Sequence, residues 1–161
     1  RRAAATVTGG WTGEIMLADL AATQALGARL AAVLRAGDVV TLAGGLGAGK
    51  TSFARGVLAA LGLEEEAPSP TFAIVQPYDV PDVRLPVLHV DLYRLDSPGD
   101  LLELGLDEAR YDSALLIEWA ERAGPGRWRD ALALDLAVLP DGARRLTWSA
   151  PAAWEARWPP R

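Results

Sequence analysis

A chain of 161 residues, half of them hydrophobic and carrying a net charge of −5, is long enough for one substantial core and leaves no room for a large second domain. The absence of cysteine excludes disulfides and thiolate metal sites, and the single histidine excludes a His-built one, so any metal must be held by oxygen. The acidic balance argues against direct nucleic-acid binding, which wants a basic face.

Arg1-Arg2-Ala3-Ala4-Ala5 has the paired arginines of an export signal, but no continuous apolar region or clear cleavage site follows. Residues 1–12 are therefore expected to be a flexible leader. Gly13 to Leu17 suits a short strand. Asp19 is placed to cap a helix from Leu20 to about Leu34, whose stripe Leu20, Leu26, Leu30, Val33 and Leu34 is expected to be buried. This window is the most apolar of the chain, yet Asp19 and Arg29 interrupt it, so it reads as a core helix rather than a membrane span. A soluble cytoplasmic protein is expected.

Gly37-Asp38 turns the chain into Val39-Val40-Thr41-Leu42-Ala43, apolar throughout as a central strand covered on both faces should be. It runs into Gly44-Gly45-Leu46-Gly47-Ala48-Gly49-Lys50-Thr51, the spacing G-x-x-x-x-G-K-[ST] between a strand and a helix. Glycines let the loop wrap so that successive N–H groups face phosphate oxygens, and the following helix, expected from Ser52 to Leu61, adds its unpaired N–H groups. The phosphate-binding set is thus Gly45, Leu46, Gly47, Ala48, Gly49, Lys50, Thr51 and Ser52. Lys50 reaches the outer phosphates and the Thr51 hydroxyl is placed for Mg²⁺. Lys50 is also the only lysine among 16 basic residues. An arginine fork is bulkier and cannot tuck under the phosphates in the same way.

Beyond the acidic run Glu64-Glu65-Glu66, Pro68-Ser69-Pro70-Thr71-Phe72 forms a stiff extended segment before a strand at Ala73 to Gln76. In a nucleotide switch protein, a loop sensing the γ-phosphate would sit here, with Thr71 as its hydroxyl. Tyr78 to Pro86 is a loop or hairpin tip. Leu85 to Arg94 is a strand whose polar end carries Asp91, and His89, two residues earlier, shares its side of the strand. Such a lone histidine suits a hydrogen-bonded core residue better than a catalyst. Ser97-Pro98-Gly99-Asp100 starts a short helix that stops at Gly105. Ala114 to Ile117 is a second all-apolar strand, ending in Glu118-Trp119 in the Walker B pattern. Leu132 to Val138 and Arg144 to Ser149 form a hairpin, and the tail, residues 151–161, is expected to be a short helix with a frayed end.

Asp91 and Glu118 are both strand-end acids, near the phosphates if their strands flank the one before the loop. Trp119 could pack, or be exposed to dock a partner.

Taken together, Leu46 to Thr51, Arg55-Gly56, Ser69 to Phe72, His89 to Arg94 and Ile117-Glu118-Trp119 resemble the TsaE (YjeE) family, small bacterial P-loop ATPases required for threonylcarbamoyladenosine in tRNA. The match runs from about Thr23 to Trp119. The resemblance implies one domain over residues 1–161 with a P-loop α/β fold, a three-layer sandwich around a mixed sheet. It implies a Mg²⁺-dependent ATPase with slow intrinsic turnover, acting on the TsaB–TsaD protein pair and meeting tRNA only through it. Thr51 and Glu118 would hold Mg²⁺. Asp91, with Lys50, would serve the hydrolytic step or the switch, Thr71 would lie in the switch loop, and Trp119 would support the nucleotide or partner surface. Gly45 stands where family members often carry an acid, and Ser52 replaces a common Thr.

A small-molecule kinase on the same cradle is the alternative. It would need an Arg-rich lid and an acceptor pocket, whereas the loops after Tyr93 and Trp119 carry scattered arginines and no acceptor signature. A GTP switch would need an N-K-x-D loop, and the chain contains no asparagine, so adenine is favoured.

Overall fold

Residues 2–4, 10–68 and 74–160 are described in the computed structural model, the first three as backbone only. Eight strands form one mixed sheet: β1 (Arg2–Ala4), β2 (Trp11–Leu17), β3 (Val39–Ala43), β4 (Val75–Tyr78), β5 (Val87–Asp91), β6 (Ala114–Glu118), β7 (Leu132–Val138) and β8 (Arg144–Ala150), in the spatial order β1-β2-β8-β7-β3-β6-β5-β4. The middle strands β7, β3, β6 and β5 are parallel, and the outer pairings are antiparallel. The apolar run of β3 therefore lies between two neighbours, where side chains on both faces are covered.

The two faces carry separate cores. Val40, Leu42 and Leu116 face α1 (Leu20–Ala31) and α2 (Lys50–Ala60), while Val39, Val90, Leu115 and Ile117 meet Leu95 from the turn after β5 and Leu101 and Leu106 from the short helical segments on the other side. This is the expected three-layer α/β sandwich. The layers alternate because successive strand side chains point to opposite faces. α1 and α2 cross at glycines: a Cβ on Gly27 would strike the Phe53 carbonyl oxygen, and one on Gly56 would strike that of Gln24.

Several boundaries depart from the expectation. Residues 2–4, within the expected leader, pair with Gly13 and its neighbours at the sheet edge, and Trp11 and Thr12 already belong to β2. Edge pairing uses backbone groups alone, so no side-chain pattern announces it. Asp19 does cap α1, its Oδ1 accepting the Ala22 N–H at 2.8 Å. The helix stops at Ala31, and Leu34 is buried from the following turn, which the Asp38 carboxylate closes by accepting the Arg35 N–H at 2.7 Å. Leu20, expected in the buried stripe, is 45% exposed. Ser97 makes no side-chain capping bond, and Pro98–Leu104 winds as a 3₁₀ helix before Gly105 and α3 (Leu106–Ala109). The tail is not frayed through residue 160: Trp158 is 2% exposed and meets Trp148 edge-on at 5.8 Å, and Arg157 forks onto both Asp38 oxygens at 2.6 and 3.0 Å. Burying two indoles and a paired guanidinium outweighs the polar, Ala-rich spacing that suggested fraying. No helix among the described residues is long and apolar enough to cross a membrane.

Candidate functional site

The loop between β3 and α2 forms the floor of a cleft of about 270 Å³ at the carboxyl ends of the parallel strands. Two glycines make its path possible. Gly44 has φ +138°, and a Cβ there would run into the Leu136 carbonyl oxygen; Gly49 has φ +108° and immediately precedes α2. Both conformations are open to glycine and strained for other residues. The helix begins at Lys50, two residues earlier than expected, so its first N–H groups belong to the loop itself.

Leu46, Gly47, Ala48, Gly49, Lys50, Thr51 and Ser52 all line the cleft. Gly45 is exposed and outside the lining, with open space where a side chain would stand. Lys50 is buried; its Nζ donates to the Gly44 carbonyl at 2.7 Å and lies 4.2 Å from the centre of the Trp119 ring. Trp119 holds φ +59°, the left-handed region, at a cost of about 1–3 kcal/mol for a side chain of this kind. Its ring also meets Tyr93 at 4.9 Å, so the residue beside Glu118 is fixed between the phosphate-loop lysine and the chain leaving β5.

Asp91 and Glu118 both reach this cleft, by different routes. Of the two acid-bearing strands only β6 flanks β3, with Glu118 level with Leu42; β5 lies one strand further out, contrary to the simplest expectation that both flank it. Asp91 arrives because β5 and β6 pair in register, Asp91 opposite Glu118. The Asp91 Oδ1 accepts the Tyr93 N–H at 2.9 Å, which turns the chain out of the sheet three residues before the expected end of the strand at Arg94. Burial pushes the Asp91 carboxyl above its ordinary value, with the Glu118 charge adding to the rise, while the Tyr93 N–H, Lys50 and His89 pull against it. Glu118 is 3% exposed and accepts from His89 Nε2 at 2.7 Å. Thr71 lies outside the described residues.

Two lining residues escaped the sequence reading, Leu20 and Arg144. Leu20 looks like a core position because it opens an amphipathic helix. Arg144 begins β8, distant in sequence, and the folded hairpin brings its Nη2 to the Gly47 carbonyl at 3.2 Å while Nη1 holds Gly142 at 2.7 Å. Nothing local to either residue signals this; only the β7–β8 pairing beside β3 does. The cleft is thus two-ended. Asp91, Glu118 and Trp119 stand on the β5–β6 side, and Leu20 and Arg144 stand near Gly49 on the other.

A magnesium ion fits the donor set. Thr51 offers a hydroxyl at the start of α2 and Glu118 a buried carboxylate, both lining the cleft. No cluster of three or more His, Cys, Asp or Glu suited to a metal occurs among the described residues. Mg²⁺ bound with a nucleotide takes one or two protein oxygens together with substrate phosphates and water.

A family model described as Threonylcarbamoyl adenosine biosynthesis protein TsaE matches residues 17–146. The tRNA threonylcarbamoyladenosine biosynthesis protein TsaE of Treponema pallidum (strain Nichols) is 40% identical over 116 residues, covering 71% of this chain and 84% of that protein. The protein of the same name from Bacillus subtilis (strain 168) is 36% identical over 129 residues, 80% of this chain and 79% of its own. The crystal structure of Bacillus subtilis YdiB aligns with a TM-score of 0.72 at 31% identity, covering 86% of this chain and 85% of that one.

Proposed function

The chain belongs to the TsaE family of threonylcarbamoyladenosine biosynthesis proteins, and from that membership we propose that it binds and hydrolyses ATP as an accessory of the TsaB–TsaD transferase pair. The observation that carries the ATP reading is the convergence of the loop amides, Lys50, Asp91 and Glu118 on one cleft. Amides and an ammonium bind phosphate oxygens, and strand-end acids serve a metal and a water.

Each residue has a distinct task. The residue 45–52 segment cradles the phosphates, and Lys50 supplies the cation for the outer ones. To do so its ammonium leaves the Gly44 carbonyl and the Trp119 ring. Thr51 and Glu118 hold the Mg²⁺. That ion, when bound, neutralises charge on the outer phosphates. Asp91 takes a proton from the attacking water, a task for which a raised carboxyl suits it better than an ordinary one. To Thr71, outside the described residues, falls the sensing of the outermost phosphate. Leu20 and Arg144 stand at the nucleoside end, where a flat base is held between an aliphatic side chain and a guanidinium.

Adenine is the base, since a chain without asparagine has no N-K-x-D loop. With a net charge of −5, the protein meets tRNA through its protein partners in the cytoplasm. Trp119 and the 91% exposed Leu46, at the rim of the cleft, give the partner a surface that changes with the nucleotide.

Retention of the chain on immobilised TsaB–TsaD, with and without ATP, tests the partner assignment. ATP-dependent retention is expected, and no retention in either condition sinks it in favour of a small-molecule kinase.

A further inference from the structure

His89 is fully buried on β5 and has one partner among the described residues. Nε2 lies 2.7 Å from Glu118 Oε2, where an Nε2–H donates to the carboxylate, and Nδ1 is buried with no partner among the described residues. A buried ring nitrogen without a partner is costly, and a leucine filling the same space would avoid that cost. The imidazole is thus poor as packing, and its contact with Glu118 is what distinguishes it from its apolar neighbours Val87 and Val90.

The contact matters because Glu118 shares its cleft with the Lys50 ammonium. Asp91 feels both Glu118 and Lys50, and all three line the same cleft. Yet Lys50 takes no part in the ion pairs among the described residues; it rests on the Gly44 carbonyl and the Trp119 ring. A carboxylate free to rotate in a buried cleft would be drawn to that ammonium, and one movement would remove both the metal ligand and the phosphate cation. With Oε2 tied to the ring across the β5–β6 pairing, that movement is blocked and Oε1 is left for a ligand.

We propose that His89 is the positioning residue for Glu118, holding one carboxylate oxygen so that the other serves a divalent cation and so that Lys50 stays free for phosphate. The proposal rests on the reading of Glu118 as a metal ligand. Outer hydrogen-bond partners of metal-binding side chains typically contribute about 10- to 100-fold in metal affinity.

The test titrates Mn²⁺, followed by electron paramagnetic resonance, into ADP-saturated protein for the wild type and for His89→Leu, His89→Asn, His89→Gln and Glu118→Gln. Thermal melts establish which variants are folded. Glu118→Gln, His89→Leu and His89→Asn are expected to weaken Mn²⁺ by about 10- to 100-fold. His89→Gln, whose longer amide reaches the same oxygen, should return close to wild type. In EDTA, ADP should also bind more weakly to His89→Leu and His89→Asn, because the released Glu118 carboxylate competes for Lys50, and should bind His89→Gln as it does the wild type. Should His89→Leu fail to fold, the Asn and Gln variants, both polar and differing by one methylene, decide the point. Equal Mn²⁺ affinity in those two, or wild-type affinity in His89→Leu, overturns the proposal while a weakened Glu118→Gln leaves the ligand reading standing. Wild-type affinity in Glu118→Gln overturns both, and a wild-type protein that binds no ADP overturns the nucleotide reading beneath them.

Discussion

The Lys50 ammonium lies 4.2 Å from the centre of the Trp119 ring while it donates to the Gly44 carbonyl at 2.7 Å. The cation of the loop is thus held by a carbonyl and a π-face. Those contacts are weaker than an ion pair and can be exchanged for phosphate oxygens. Trp119 is coupled to the same exchange, since its strained backbone keeps the ring against both Lys50 and Tyr93.

Nucleotide binding should therefore change the emission of Trp119 as the ammonium leaves its face. The chain has six tryptophans, so the assignment needs a difference. ATP is expected to alter the fluorescence of the wild-type protein, and Trp119→Phe should abolish most of that change while still binding ATP. An undiminished signal in the variant would place the response elsewhere.

Asp91 yields a prediction about pH. Its folded-state pKa is raised above the unfolded value by burial, so the folded state binds the proton more tightly, and stability falls as pH rises through that raised value. Asp91→Asn keeps an oxygen for the Tyr93 N–H and removes the buried charge. It should raise Tm at neutral pH, by about 2–4 °C for each kcal/mol regained. The gain should vanish below the ordinary carboxylate range, about pH 4, and hydrolysis should be lost at every pH. Melts across that range check the sign, and a gain independent of pH would contradict it.

The proposed place of Arg144 at the nucleoside end predicts different effects on the base and on the phosphates. Arg144→Ala is expected to weaken ATP and ADP by about 3- to 30-fold, the worth of a partly desolvated cation–π contact. Inorganic tripolyphosphate should bind as it does to the wild type. Arg144→Lys should not restore the loss, because an ammonium has no planar face to stack. Calorimetry with both ligands distinguishes the cases, and an equal loss for tripolyphosphate would move Arg144 to the phosphates.

How much of this was legible in the sequence follows from where each signal resides. The phosphate loop could be read because its constraint is local: glycines at fixed spacing, an apolar strand before and a helix after. Glu118 and Asp91 could be read as strand-end acids because four apolar residues, or an alternating strand, precede each. What a strand end touches depends on strand order, and β5 lying beyond β6 was not readable from either segment. Leu20 and Arg144 were missed for the same reason: one looks like core and the other like a hairpin surface until β8 folds back beside β7. The tail was misread because the bidentate Arg157–Asp38 pair joins residues on opposite sides of the phosphate loop in sequence, a relationship that no local pattern carries.

Nucleotide turnover at this cleft is proposed to serve threonylcarbamoyladenosine formation. The direct measurement is the amount of that modification made on tRNA by TsaB–TsaD over many turnovers, with the wild-type chain, with Lys50→Ala or with neither. The wild type is expected to raise the yield, and Lys50→Ala to behave like its omission. Equal yields in all three reactions, or full support by Lys50→Ala, would contradict that proposal.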